Sequence, residues 1–235
     1  RRQGQVWIRD GVLEAPMLAA AIFDLDGLMF DTEPIWVSAW APAFKEQGLE
    51  LKPSLVQRFF GMSQSRIDEL VAQAYDHDPR AIPAVREHVR IGIDEMLAHG
   101  APKKPGLDEL LALLAEKGVP CAVASASPRT LVKMHLRKGD IEAYFSAVIA
   151  GDDGLPSKPA PDVFLEAAHR LHAVPVNSLV LEDSPNGILA ASAGGFLSVM
   201  VPDMVAPTPE TRSLATRVCN SLLDVRDLIA QGELG

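Results

Sequence analysis

The stretch that organises the chain is Ala-Ile-Phe-Asp-Leu-Asp-Gly-Leu-Met-Phe-Asp-Thr-Glu, residues 21–33. It opens in a continuous apolar run over 19–23, which is typical of a strand buried on both faces of a parallel sheet. Asp24 and Asp26 follow this run, and Gly27 permits a sharp turn that keeps both carboxylates at the edge of the sheet. Parallel sheets bind ligands just beyond the carboxyl ends of their strands. The stretch therefore predicts two carboxylates at a ligand-binding edge, although an acidic turn that caps a helix would give the same pattern.

The composition is that of an ordinary globular protein. The chain has 235 residues, of which 48% are hydrophobic and 23% are charged, so it can bury a large core. No window is apolar enough for a membrane span, and the first residues do not resemble a signal peptide. The two cysteines, Cys121 and Cys219, are too few for a disulfide framework and favour a reducing compartment. We therefore expect a cytoplasmic protein without a membrane partner, and we expect a monomer.

The charge of the chain narrows the class of partner. The formal net charge is −9, and no long block of Lys or Arg is present. Such a chain is poorly suited to binding the backbone of a nucleic acid. A small anionic substrate is compatible with this charge, provided that the site supplies local positive charge and a metal ion. The sequence thus predicts no nucleic-acid partner and leaves small anions as candidate substrates.

Changes in sequence pattern divide the chain. Residues 1–16 show no clear period, which predicts an N-terminal extension. Over 33–102, apolar residues recur at helical spacing between Gly and Pro breaks, which predicts about four helices and no strand. We expect this helical block to be a cap domain inserted after the first strand. Residues 17–32 and 103–235 would then form the α/β catalytic core.

Helices and strands alternate from Pro105 onwards. This alternation predicts right-handed crossovers and a doubly wound parallel sheet, which is a Rossmann-like α/β core with an inserted helical cap. The predicted core strands cover 19–23, 119–124, 147–150, 179–181 and 196–201, and the predicted core helices cover 105–118, 130–138, 162–171, 186–193 and 222–229.

Polar side chains follow the ends of the predicted strands. The set consists of Asp24 and Asp26, Ser125, Lys158, and Glu182 with Asp183. Each has an ordinary alternative, since Ser125 could cap a helix, Lys158 could be a solvated surface residue, and the last two acids could favour a helix N-terminus. The carboxyl ends of parallel strands converge on one crevice, so acid, hydroxyl and cation would meet there. Their joint occurrence favours a site for phosphoryl transfer through an aspartyl-phosphate.

Each acidic residue of the set has a task in that chemistry. Asp24 is the candidate nucleophile, which forms an acyl-phosphate. Asp26 is the candidate acid and base, which protonates the leaving oxygen and later takes a proton from water. Mg²⁺ would be held by Asp24, Asp183 and the backbone carbonyl of Asp26. Glu182 would bind it directly or through water, so the predicted metal set is Asp24, Asp26, Glu182 and Asp183.

The phosphoryl group also needs hydrogen-bond donors. Ser125 and nearby backbone N–H groups would bond its equatorial oxygens, and Lys158 would offset the charge that develops in the transition state. Pro159 biases Lys158 towards an extended backbone, which helps to fix the direction of its side chain. The predicted catalytic residues are thus Asp24, Asp26, Ser125 and Lys158, and the predicted substrate contacts are Leu25, Ser125, Ala126, Lys158 and Trp36.

Four motifs resemble those of the haloacid dehalogenase-like hydrolase superfamily. They are FDLDG at 23–27 with DTE at 31–33, ASAS at 124–127, SKPAPD at 157–162 and LEDSPNG at 181–187. The helical insert resembles the cap of the beta-phosphoglucomutase-like subfamily, and the chain looks most like its sugar- and polyol-phosphate phosphatases of the 2-deoxyglucose-6-phosphatase type. The resemblance implies the roles given above, with Mg²⁺ as cofactor and a small phosphorylated metabolite as substrate. It also associates an aspartate at position 26 with phosphatases and mutases, since dehalogenases lack it.

Two positions of the cap depart from the mutase pattern. Where the mutase has a histidine ten residues after the acid/base aspartate and an arginine in a cap loop, this chain has Trp36 and Gln64. Without those two side chains a bisphosphate intermediate is harder to hold, so hydrolysis is favoured over isomerisation. Trp36 follows the loop that is expected to face the crevice, which makes it our candidate for substrate choice.

Two alternatives stay open. The first is a phosphosugar mutase on the same scaffold. The second is a phospho-accepting signalling module, because receiver domains also combine an acidic pocket, Mg²⁺, a hydroxyl and a lysine on a doubly wound sheet. A non-catalytic relative is disfavoured, because no motif residue is missing.

Overall fold

The chain divides into two compact units. The computed structural model describes residues 8–9, 12–13, 18–59 and 64–234. One unit, which we call the core unit, comprises Arg1–Met29 and Lys103–Gly235, and the other, the helical unit, comprises Phe30–Pro102. Within the described ranges, no helix is long and apolar enough to cross a membrane.

A short antiparallel pair lies near the N-terminus. Strand β1 (Ile8–Arg9) pairs with strand β2 (Val12–Leu13). The sequence did not predict this pair, because strands of two residues are too short to display a period. The rest of the predicted extension lies outside the described residues.

The core unit is built on a six-stranded sheet in which every pair of neighbours is parallel. Its strands are β3 (Ala20–Phe23), β4 (Cys121–Ala124), β5 (Phe145–Ile149), β6 (Ser178–Glu182), β7 (Leu197–Met200) and β8 (Arg217–Val218), in the order β5-β4-β3-β6-β7-β8. From β3 the chain fills one side of the sheet with β4 and β5, and then returns to fill the other side. The strand order thus reverses beside β3, and ligands of doubly wound sheets bind at such a reversal. The predicted fold class is confirmed.

The core helices cover the sheet. They are α5 (Leu107–Glu116), α6 (Arg129–Lys138), α7 (Asp162–Arg170), α8 (Pro185–Ala193), α9 (Pro209–Leu214) and α10 (Leu222–Ala230), with short 3-10 helices at Glu142–Tyr144 and Pro175–Asn177. One part of the core packs Ile22 of β3 and Val180 of β6 against Phe164 of α7. All residues of β3 and β4 are buried, as the continuous apolar runs predicted. Helix α9 and strand β8 were not predicted, because both are too short to show a reliable period.

The helical unit contains the four predicted helices. They are α1 (Glu33–Glu46), α2 (Pro53–Phe59), α3 (Gln64–Ala74) and α4 (Ala81–His99). Its core includes Trp40 and Phe44 of α1, Phe59 of α2, Val71 of α3 and Val85 of α4. These residues are the apolar positions whose spacing predicted the helices, so burial explains the pattern.

Candidate active site

The strand register brings the ends of β4 and β6 to the two sides of the end of β3. Phe23 pairs with Val123 on one side and with Leu181 on the other. Asp24 is therefore flanked by the end of β4 and by Glu182, and its N–H donates to the carbonyl oxygen of Leu181 at 3.0 Å. The predicted carboxylates thus lie where the strand order reverses.

Lys158 lies between two buried carboxylates. Its Nζ donates to Asp24 Oδ1 at 2.5 Å and to Glu182 Oε1 at 2.6 Å. A third bond of 3.0 Å goes to the carbonyl oxygen of Ala124, so all three ammonium donors are used. The Lys158 side chain is 10% exposed. It is therefore a fixed, buried cation and not the solvated surface residue considered as an alternative.

The cation that acts on Asp24 is Lys158, whereas two acids, Glu182 and Asp26, act on it in the opposite sense. Burial raises the pKa of Asp24 above the usual range of an aspartate. Lys158 opposes that shift, whereas Glu182 and Asp26 add to it. Burial also disfavours the charge on Lys158, but Asp24 and Glu182 outweigh it and raise the pKa of the ammonium above its usual value. One ammonium thus serves several carboxylates, and a divalent cation would correct the imbalance.

Asp26 faces the serine loop, which we define as residues 125–128. Ser127 Oγ donates to Asp26 Oδ2 at 2.7 Å, and Ser125 Oγ lies 3.4 Å from the same oxygen. The Ser127 N–H donates to Ser125 Oγ at 2.9 Å. Asp26 Oδ1 is buried and has no hydrogen-bond partner in the part of the chain that the structure describes. Of the predicted substrate contacts on these loops, Leu25 is buried and Ala126 is exposed.

Glu182 is held through both of its carboxylate oxygens. Oε1 accepts from Lys158, while Oε2 accepts from the Ser184 N–H at 3.0 Å and from Ser184 Oγ at 2.9 Å. Ser184 Oγ also caps α8 by accepting from the Gly187 N–H at 3.1 Å. A Cβ at position 187 would lie 1.9 Å from Glu182 Cδ, so this close approach requires glycine. Glu182 is thus immobilised beside Lys158.

Asp183 lies against the turn that follows Asp26. Gly27 in that turn has a φ of +78°, and a Cβ there would lie 2.5 Å from Asp183 Oδ2. Both the backbone conformation and the contact therefore require glycine. The Asp183 carboxylate is thereby placed beside the backbone that carries the Asp26 carbonyl.

Two residues at the strand ends were not predicted. Ser127, the partner of Asp26, lies two residues after Ser125, so the Ser-x-Ser spacing was the signal for it. Asp203 follows β7 and forms an ion pair of 2.8 Å with Lys104. Its Oδ2 lies 3.3 Å from the position of a Cβ at Gly27. The signal for Asp203 was its place after a strand end, which it shares with the predicted acids.

The oxygen donors around the Asp26 turn fit a hard cation. Asp24, Asp183 and the backbone carbonyl of Asp26 are the donors that Mg²⁺ prefers, and Asp183 is packed on the turn that carries the carbonyl. Across the described ranges, no group of three or more His, Cys, Asp or Glu side chains is arranged to hold a metal ion. The Lys158 ammonium lies between the carboxylates of Asp24 and Glu182 and contacts both. The metal set that includes Glu182 stays a prediction.

The two departures in the cap fall in the helical unit. The Trp36 ring packs on α4, where a Cβ at Gly92 would lie 2.4 Å from Trp36 Cζ3. The Trp36 carbonyl oxygen accepts from His88 Nε2 at 2.8 Å. The role of Trp36 in substrate choice stays a prediction. Residues 61–63 and the side chain of Gln64 lie outside the described part of the chain.

Comparison with known proteins agrees with the four motifs. A profile of the haloacid dehalogenase-like hydrolase family matches residues 21–201. Hexitol phosphatase B of Escherichia coli K12 is 32% identical over 218 residues, which cover 90% of this chain and 97% of that protein. Fructose-1-phosphate phosphatase YqaB of the same strain is 32% identical over 185 residues, which cover 78% of this chain and 96% of that protein.

A solved structure shows the same fold. The beta-phosphoglucomutase from Clostridium difficile superimposes with a TM-score of 0.71 at 23% identity, covering 92% of this chain and 97% of that chain. At this identity the likeness concerns the fold alone. The profile match and the two phosphatases confirm the resemblance inferred from the motifs. This chain belongs to the haloacid dehalogenase-like hydrolase family.

Proposed function

We propose that this protein is a Mg²⁺-dependent phosphatase that hydrolyses small sugar or polyol phosphates through an aspartyl-phosphate on Asp24. The observation that carries the proposal is the surrounding of Asp24, a buried carboxylate in contact with Lys158 at the point where the strand order reverses. The relatives named as phosphatases support hydrolysis of a phosphomonoester.

The first step transfers the phosphoryl group to the enzyme. An oxygen of Asp24 attacks phosphorus in line with the ester oxygen, so that a bond from Asp24 to phosphorus forms while the ester bond breaks. Asp26 gives its proton to the departing oxygen. Lys158 reduces the repulsion between the carboxylate and the phosphoryl oxygens, because its ammonium already contacts Asp24. Ser125 and the backbone N–H of Ala126 bind the equatorial oxygens. The Ser125 N–H already donates to the Ile149 carbonyl oxygen and the Ser127 N–H to Ser125 Oγ.

The second step releases phosphate. Water attacks phosphorus, Asp26 accepts its proton, and the bond from Asp24 to phosphorus breaks. The hydrogen bonds of Asp26 suit this exchange. Ser127 holds Oδ2, whereas Oδ1 has no hydrogen-bond partner among the described residues and is available for the proton.

The metal ion would bind beside Asp24. Asp24, Asp183 and the backbone carbonyl of Asp26 would hold Mg²⁺, which when bound neutralises charge on the nucleophile and on the phosphoryl group. We assign Glu182 a different role from the direct ligand considered above. Because its oxygens are engaged by Lys158 and Ser184, it fixes the ammonium.

The substrate class rests on the relatives and on the helical unit. The similar proteins are named for a hexitol phosphate and for fructose 1-phosphate, which are small polyol and sugar esters. We propose that the helical unit selects among such esters and that Trp36 contributes to this choice. A cytoplasmic location and a monomeric state stay predictions.

A phosphate-release screen tests the function. Sugar, polyol, nucleotide and glycolate phosphates are incubated with the protein, with and without Mg²⁺, beside the variant Asp24→Asn. We expect release from sugar or polyol phosphates in the presence of Mg²⁺, and a loss of at least about 10³-fold in Asp24→Asn because an amide is a poor nucleophile. Undiminished release by the variant would remove the covalent mechanism.

The screen also separates hydrolysis from isomerisation. With a hexose 1-phosphate, a phosphatase liberates inorganic phosphate. Formation of an isomerised sugar phosphate without net phosphate release would instead identify a mutase. A long-lived phosphoprotein that does not turn over would identify a signalling module.

A further inference from the structure

The loop after β5, residues 150–154, lies directly against the serine loop. The Gly151 N–H donates to the carbonyl oxygen of Ser127 at 2.9 Å. A Cβ at position 151 would lie 1.9 Å from the carbonyl oxygen of Ala126, so the loops can approach this closely only with glycine at that position. The backbone of the serine loop is thus fixed by its neighbour.

Asp152 caps the helix that follows the serine loop. Its Oδ1 accepts from the Arg129 N–H at 3.0 Å, which is the first residue of α6. Pro128, at the N-cap position, makes no side-chain cap hydrogen bond. The first N–H groups of a helix have no acceptor within the helix and need one from elsewhere. For α6, Asp152 in the loop after β5 provides it. The cap therefore ties the end of the serine loop to residues 150–154.

Asp153 holds the side chain of Arg129. Arg129 Nη2 lies 2.6 Å from both Asp153 carboxylate oxygens and 3.1 Å from the Val148 carbonyl oxygen. Asp153 Oδ2 also accepts from the Ala150 N–H at 3.1 Å, which fixes the carboxylate in its own loop. The bond from Arg129 lowers the pKa of Asp153, so the pair is charged at neutral pH. Side-chain exposures of 33% and 17% place it partly out of solvent, where an ion pair is stronger than on an open surface.

We propose that Gly151, Asp152 and Asp153 form a positioning clamp for the serine loop. Gly151 holds the Ser127 carbonyl, Asp152 accepts from the Arg129 N–H, and Asp153 binds the Arg129 side chain. All three act on the reaction only through the serine loop. The inference rests on the proposed function, since the loop carries the Ser127 hydroxyl that holds Asp26 and the donors assigned to the phosphoryl group. A displacement of such groups by about 1 Å can cost roughly 10²-fold in rate. The clamp explains why two adjacent acids lie at the end of a strand that carries none of the predicted catalytic residues.

The variant Asp153→Ala tests the clamp. It removes the partner of Arg129 and one acceptor of the loop, so we expect kcat for para-nitrophenyl phosphate with Mg²⁺ to fall about tenfold. The Kd for inorganic phosphate, measured by isothermal titration calorimetry, should rise by a similar factor. The matched control is Glu142→Ala, which removes the 3.1 Å ion pair with Arg137 at the other end of the same helix. The control should change neither quantity by more than about twofold, because that pair is exposed.

A second pair of variants separates positioning from general stability. Asp152→Asn keeps a side-chain oxygen that can accept from the Arg129 N–H, whereas Asp152→Ala does not. We expect Asp152→Asn to retain most of the phosphate affinity and Asp152→Ala to lose it, with thermal midpoints recorded for both. Equal effects of the two substitutions, or unchanged kcat and phosphate affinity in Asp153→Ala, would overturn the clamp.

Amide hydrogen exchange keeps this test independent of catalysis. In Asp153→Ala the Gly151 N–H, which bonds to the serine loop, should exchange faster than in the wild type, and in Glu142→Ala it should not. If the wild type releases no phosphate from any ester, the proposed function fails and the clamp is still judged by this exchange. Unchanged exchange in Asp153→Ala would contradict the clamp even in an active enzyme.

Discussion

At the scale of single residues, Gly27 allows the Asp183 carboxylate to lie against the turn that carries the Asp26 carbonyl. Both groups belong to the proposed metal site. Its φ of +78° disfavours any side chain, and a Cβ would lie 2.5 Å from Asp183 Oδ2. We predict that Gly27→Ala displaces the Asp183 carboxylate, in addition to a backbone strain of about 1–2 kcal/mol. The Mg²⁺ concentration that gives half-maximal phosphate release should rise about tenfold, because one metal ligand is moved.

The chain offers a matched control for that substitution. Gly195 has a φ of +76°, but nothing lies within 4 Å of a Cβ built there. Gly195→Ala therefore carries the same backbone strain without the collision. Its thermal midpoint should fall, while its Mg²⁺ dependence should match that of the wild type. Equal Mg²⁺ dependence in the two variants would show that the contact with Asp183 has no role in metal binding.

At the scale of secondary structure, α4 contains a buried histidine that opposes folding at low pH. His88 stacks on Trp40 with ring centroids 3.5 Å apart, and its Nε2 contacts the Trp36 carbonyl oxygen. Burial lowers the pKa of His88 from 6.5 to about 4. As the pH falls below 6.5, the unfolded chain binds the proton first, so this residue makes folding less favourable between pH 6.5 and about 4. The full loss is on the order of 3 kcal/mol.

Chemical denaturation of His88→Gln checks this expectation. Glutamine keeps an N–H donor for the Trp36 carbonyl but does not titrate. We expect the variant to be less stable than the wild type at pH 7, where it loses the ring stacking, and the difference to shrink as the pH approaches 4. A stability difference that is constant across this range would mean that His88 is not held neutral by burial.

At the scale of the whole molecule, the chain leaves the core unit after Met29 and returns to it after Pro102. Within each unit, the residues beside these two crossings are joined by a hydrogen bond. In the core unit the Lys104 N–H donates to the Met29 carbonyl oxygen at 2.8 Å, and in the helical unit the Asp31 N–H donates to the Pro102 carbonyl oxygen at 2.9 Å. A short Gly/Ser linker can therefore replace the helical unit without stretching the core. We predict that such a variant folds, hydrolyses para-nitrophenyl phosphate and no longer discriminates among sugar phosphates. Retention of full selectivity would show that the helical unit is not the specificity element.

Most of the architecture was predictable because it follows from burial. The continuous apolar runs of β3 and β4 and the helical spacing from Glu33 onwards reflect which faces are covered, and periodicity records this directly. The short elements β1, β2, β8 and α9 were missed for the same reason, since they span too few residues for a period. Among the strand ends, Asp203 was missed although it follows a predicted strand.

The sequence by itself determined the fold class, the family and the chemical types at the strand ends, because these depend on local pattern and on the order of motifs. Tertiary structure decided which atoms meet. Lys158 bridges Asp24 and Glu182, and Asp26 is held by Ser127 across a separation of 101 residues. Such pairings depend on strand register and on side-chain rotamers, and neither leaves a trace in local periodicity. The residues available for phosphoryl transfer could therefore be read along the chain, whereas their hydrogen-bond partners became known only when the strands were aligned.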